Sequence, residues 1–235
     1  MNNGFETRII DRKNEVMLFS SSHQLPTFEK QIEGIGCITI DINFDIFWGE
    51  YTGKRVNIDN FLNDVQPLKI FNHTFNTLSV KKAFVQMCLH HYKEMNSIYV
   101  LSRHNTIRKD MFADIYYLIK NNLSDLYITN IKQLIEEYSI SQYVYYMLYY
   151  TKHIFNDPIL ENYIDAFDCE KGRKLLDLYG LSKKEQKKWK ITFEERLNSN
   201  NLYNVIQNDL TDYDLRKINS NQKIFGPSNL TQGNI

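Results

Sequence analysis

A mixed α/β fold, with a partly parallel sheet and packed helices in the N-terminal half and a helical C-terminal half, is what this sequence predicts. Three observations carry that expectation. Apolar and polar residues alternate over Ile35 to Trp48, the apolar ones recur at three and four residues over Thr77 to Met95, and strand-like runs stop after Asn130. Strand-like segments separated by helices of this length are the pattern of βαβ units.

Taken in order, Arg8 to Phe19 reads as a short strand and a helical turn. In the next strand Ile38, Ile40, Ile42, Phe44, Ile46 and Trp48 alternate with Cys37, Thr39, Asp41, Asn43, Asp45 and Phe47, giving one apolar face and one acid-bearing face. Leu68 to Phe75 reads as another strand. From Thr77 to Met95 the residues Val80, Phe84, Met87, Cys88, His91 and Met95 form the stripe of an amphipathic helix. Ser97 to Leu101 follows as a short buried strand, Asn105 to Lys120 as a helix, and Asp125 to Thr129 as a strand. Beyond them, Ile131 to Tyr138 and Ser141 to Ile154 are helical, the second crowded with Tyr143, Tyr145, Tyr146, Tyr149 and Tyr150 and so read as a buried central helix. Asp157-Pro158 marks a helix start. Gly180 is read as closing a helix, and Ser182 to Glu185 as the capping box of one that runs to about Asn198. The expected organisation is an α/β core over residues 1–130, a helical extension over 131–216, and a polar tail over 217–235.

The totals narrow the function classes. With 28 basic and 28 acidic residues among 235, net charge gives no general pull toward nucleic acid or anionic membrane. Cys37, Cys88 and Cys169 are three widely spaced residues without a C-x-x-C pair, which reads as free thiols in a reducing compartment. Met1 to Arg12 lacks the pattern of a secretory leader, and no run approaches the roughly 20 apolar residues of a membrane helix, so the expected location is cytoplasmic. A phosphate-binding Gly-rich loop, a G-x-S-x-G elbow and an H-E-x-x-H pair are missing from the sequence, which argues against P-loop hydrolysis and the familiar serine-hydrolase chemistry.

Four groups of residues are candidates for chemistry. A period of two points Asp41, Asn43 and Asp45 to one side, where oxygen ligands at a strand end suit a divalent metal, manganese or zinc; the plainer reading is the solvated face of an edge strand. Ser102-Arg103-His104 follows a short strand, a position where ligand loops gather, with Arg103 as an anion-binding group and His104 as an acid–base group; the plainer reading is that Asn105 or Thr106 caps the next helix. His90 and His91 are adjacent on a helix and so point about 100° apart, unsuited to joint ligation of one ion. His91 reads as a hydrogen-bonded core residue. Lys183, Lys184, Lys187 and Lys188 around Trp189 form a basic helix face able to meet the phosphates of nucleic acid or a nucleotide, although such a run is more often solvated.

The segments R-I-I-D-R-K-N-E-V (Arg8 to Val16), I-T-I-D-I-N-F-D-I (Ile38 to Ile46) and V-N-I-D-N-F-L (Val56 to Leu62) resemble, in order and spacing, the peptide-arginase branch of the arginase-like ureohydrolases. That resemblance implies metal-ligand positions for Asp41 and Asp45. It also implies a copy without its metals, because Lys13 and Asn43 stand where ligand histidines belong and no D-x-D lies at a later strand end. The expectation is a non-catalytic binding or regulatory protein with a small molecule, a peptide or another protein as partner. The alternative is a hydrolase or transferase acting on a small molecule or peptide, with Asp41, Asp45 and His104 as catalytic residues; phosphate binding through Lys184 and Lys188 is the weaker alternative.

Overall fold

The computed structural model describes residues 4–6, 23–103 and 106–225. The strand and turn expected over Arg8 to Phe19 lie outside them. The chain divides into two compact units, Met1–Arg55 with Leu210–Ile235, and Val56–Asp209.

In the first unit β1 (Phe28–Ile32) and β2 (Gly36–Ile40) pair antiparallel, with Phe28 opposite Ile40 and Ile32 opposite Gly36. The strand expected as far as Trp48 ends at Ile40. Asp41 and Ile42 leave the ladder, and a short helix α1 (Gly49–Thr52) follows. The helix Asp212–Phe225 closes this unit. Its first turn is capped by Asp214, whose Oδ2 accepts hydrogen bonds from the backbone N–H of Thr211 at 2.8 Å and its hydroxyl at 2.7 Å. Asn221 Nδ2 donates to the Tyr51 hydroxyl at 3.3 Å, and Lys217 lies over the Tyr51 ring. The stretch expected to be a polar tail from Lys217 is thus helical as far as Phe225.

The second unit begins with α2 (Ile58–Phe61), capped by the Asn57 side chain, and a hairpin of β3 (Gln66–Ile70) and β4 (His73–Thr77) in which Leu68 faces Phe75. Its core is helical. In α3 (Val80–Asn96) the stripe read from the sequence buries Phe84, Cys88, His91 and Met95. The run Ser97 to Leu101 is α4 (Ile98–Leu101) and not a strand, because the Ser97 side chain accepts from Val100 N and starts a new turn. Next come α5 (Asp110–Asn121) and α6 (Ile128–Glu137), and the expected strand Asp125 to Thr129 is a turn leading into α6. With both central strands replaced by helix and turn, the partly parallel sheet has nothing to cross over to. Among the described residues every strand pair is antiparallel, while the mixed α/β class and the helical C-terminal half stand.

The central helix is α7 (Ser141–Phe155). It packs against α3, α5, α6, α8 (Ile159–Phe167) and α9 (Glu170–Leu175). Tyr146 and Tyr150 put their ring bodies inside and give their hydroxyls partners: Tyr146 donates to Asn96 Oδ1 at 3.3 Å and Tyr150 to the Leu176 carbonyl at 2.7 Å. At α9 the approach is close enough that a Cβ on Gly172 would meet the Tyr145 ring at 2.7 Å. Asp157 caps α8 as expected, accepting from Ile159 N at 3.0 Å. Gly180 does not close a helix. It turns the chain between β5 (Leu178–Tyr179) and the strand it pairs with, β6 (Lys187–Lys188), at φ +93. Glu185 Oε2 accepts from the Ser182 backbone N–H at 3.2 Å, half of a capping box, and from the Ser182 hydroxyl at 3.1 Å, yet only a turn follows. The helix start with a complete box is Thr192 with Glu195, opening α10 (Phe193–Asn198).

Candidate functional site

The three strand-end ligands do not share a face, because the period of two stops at Ile40. Asp41 is exposed and accepts from the Thr27 hydroxyl at 2.6 Å. Asn43 is exposed in an isolated bridge with Gln24. Asp45 is buried, and its two oxygens accept from the Phe47 backbone N–H at 2.9 Å and from Arg55 Nη1 at 3.4 Å. Its carboxylate is thereby tied to its own loop, in which the Phe47 and Trp48 rings stack. Among the described residues no three His, Cys, Asp or Glu side chains gather closely enough to hold a metal ion.

The lysines read as one helix face lie in a turn, Lys183 and Lys184, and on β6, Lys187 and Lys188. Turn and strand geometry spreads them, and Lys187 Nζ donates to the Glu185 carbonyl at 3.2 Å. Arg103 is exposed in the turn after α4, its N–H bonded to the Val100 carbonyl at 3.1 Å, and His104 lies outside the described residues.

Polar groups converge between α3 and α5. A cleft of about 210 Å³ is lined by His90 and Glu94 from α3, Val100 from α4, Thr106 and Arg108 from the connecting segment, and Met111 from α5. Two of its charges hold surface partners: Arg108 Nε lies 3.2 Å from Asp110 Oδ1, and Glu94 Oε1 3.4 Å from Lys93 Nζ. Exposed pairs like Arg108–Asp110 are worth about 0–1 kcal/mol, so a ligand can exchange them cheaply.

Beside the cleft sits an unusual histidine. The His91 ring packs edge-on to His90 at 5.6 Å and is buried, with Nε2 3.7 Å from Asp114 Oδ2. Neither ring nitrogen has a hydrogen-bond partner among the described residues, which corrects the hydrogen-bonded core histidine that the sequence suggested. A neutral imidazole carries one donor and one acceptor, and each left unmet costs about 1–3 kcal/mol. Burial holds the His91 pKa below its ordinary value; Asp114, Asp110 and Glu94 act against that shift, and Arg108 adds to it.

Sequence reasoning reached His90, His91 and the loop at Ser102 to His104, but did not single out Glu94, Thr106, Arg108 or Met111 as a group. Nothing in their spacing marks them; packing of α3 on α5 brings them together.

Compared with known proteins, residues 2–156 match a family described as an uncharacterised nucleotidyltransferase. No curated protein and no solved structure matches the chain. The family match overturns the likeness to arginase-like ureohydrolases, which rested on short segments whose ligand positions are substituted. It also overturns the expectation of a non-catalytic binding or regulatory protein and agrees with the transferase alternative. Among the described residues no helix is long and apolar enough to cross a membrane.

Proposed function

The chain belongs to this uncharacterised nucleotidyltransferase family, and from that premise we propose that it transfers a nucleotidyl group from a nucleoside triphosphate to a hydroxyl acceptor. The family match over residues 2–156 is the observation that carries the reading. The reaction joins the acceptor oxygen to the α-phosphorus, breaks the bond to the departing pyrophosphate, and needs a group to take the acceptor's proton. Such transfers are catalysed chiefly by positioning and by stabilising charge on phosphate oxygens.

Two features of the second unit support it. His90 offers an imidazole in the cleft, the side chain suited to taking a proton near neutral pH. Arg103, exposed on the adjoining turn, offers a guanidinium for phosphate oxygens. Both lie within the matched residues.

The test is pyrophosphate release by the purified full chain, with each of the four α-labelled nucleoside triphosphates, magnesium, and acceptors drawn from small hydroxyl compounds, RNA and protein. We expect labelled product formed in step with pyrophosphate, and for Arg103→Ala a KM for the nucleotide raised about 10–100-fold, the worth of one lost charge-assisted hydrogen bond. A chain that yields neither product nor pyrophosphate with any pairing is not a nucleotidyltransferase.

A further inference from the structure

The geometry points to the cleft between α3 and α5 as the acceptor site, shaped for a small zwitterion that carries a hydroxyl, as serine does. This rests on the nucleotidyl-transfer reading for its role, though not for its ligand. At about 210 Å³ the cleft is smaller than the roughly 300–1,000 Å³ that encloses drug-sized ligands, so it is too small to enclose a whole nucleoside triphosphate. A molecule with a handful of heavy atoms fits.

Charge then sets the class. Arg108 brings a cation, Glu94 an acid and His90 an imidazole, while Val100 and Met111 give apolar wall. A ligand complementary to these groups has a carboxylate for Arg108, an ammonium for Glu94 and a hydroxyl for His90. The partners that Arg108 and Glu94 now hold, Asp110 and Lys93, are side chains near in sequence that such a ligand can replace. The buried His91 ring meets the His90 imidazole edge-on at 5.6 Å. In the transfer step the ligand's O–H loses its proton to the His90 imidazole as its oxygen bonds the α-phosphorus, and pyrophosphate leaves with the electron pair of the broken P–O bond.

Binding is measured first, without nucleotide, by titrating the full chain with serine, alanine and glycerol while following the His90 imidazole resonances. Serine and alanine should shift them saturably and glycerol should not; Arg108→Ala should weaken both amino acids about 10–100-fold, with Arg108→Lys in between. With α-labelled nucleotide, serine should become labelled and alanine should not. His90→Asn should lower kcat by roughly 100-fold while leaving serine KM within about threefold. Equal response to glycerol and serine, or amino-acid binding indifferent to Arg108→Ala, overturns the site. Should nucleotide be consumed only with RNA or protein acceptors while serine fails to bind, the inference falls and nucleotidyl transfer stands. If serine binds through Arg108 but no nucleotide ever reacts, the zwitterion site is supported and nucleotidyl transfer falls.

Discussion

Asp45 illustrates how a residue's neighbours decide its use. Sequence spacing grouped it with Asp41 and Asn43, but its two oxygens are taken by Phe47 and Arg55 within a tight loop. Gly180 makes a parallel case for the backbone. It sits at φ +93, and a Cβ there would lie 2.4 Å from the Glu185 carbonyl oxygen. Gly180→Ala should therefore cost about 1–3 kcal/mol or more of stability, read as a lower urea midpoint, since neither the backbone angle nor the Glu185 backbone can yield cheaply. His91 gives a pH prediction. Its folded-state pKa lies below the ordinary value of 6.5, so the unfolded chain binds a proton more readily. Stability from this group is full above about 6.5 and falls as pH drops below it toward the folded-state value. Melting curves between about pH 7 and pH 5 should show a decline that His91→Phe flattens; an unchanged slope in that variant would remove His91 from the account.

Among elements, two helices formed where the sequence placed them, one marked by its apolar period and the other by its capping residue. Helix α3 followed its apolar stripe and α8 its Asp157 cap. Short apolar runs did not behave so. Ser97 to Leu101 satisfies either a buried strand or one helical turn, and only the packing around it chooses. The Ser182 and Glu185 pair shows that capping chemistry without a following apolar period makes a turn and no helix. The box at Thr192 and Glu195 has such a helix behind it, with Phe193 and Arg196 buried. Thr192→Ala should lower stability by about 1 kcal/mol in thermal or urea unfolding, whereas Ser182→Ala, which opens no helix, should cost less.

At the scale of the whole molecule, the deepest burial among the described residues lies in the second unit, where Phe84, Phe112, Ile115 and Tyr146 are fully buried around α7. Among the described residues the first unit's hairpin is two-stranded, with an isolated bridge from Glu6 to Glu29 and with Ile38 and Ile40 exposed. Two-stranded hairpins are marginal alone, so protection against hydrogen exchange should be highest in α3, α5 and α7 and lowest in β1 and β2. Protection in β1 equal to that in α7 would contradict this ranking.

From its sequence alone the chain determined a mixed α/β composition, the long helices, the helix start at Asp157 and a balanced net charge, because these follow from period, local hydrogen bonding and composition within a few turns of backbone. Tertiary structure decided the antiparallel pairing, the helical fate of Ser97 to Leu101, and the meeting of His90, Glu94, Thr106 and Arg108. His90 was legible in that cleft, as one of two adjacent histidines on a helix. The rest was not, because residues up to 18 positions apart become neighbours only when α3 lies against α5, and no local rule encodes which helix faces will touch.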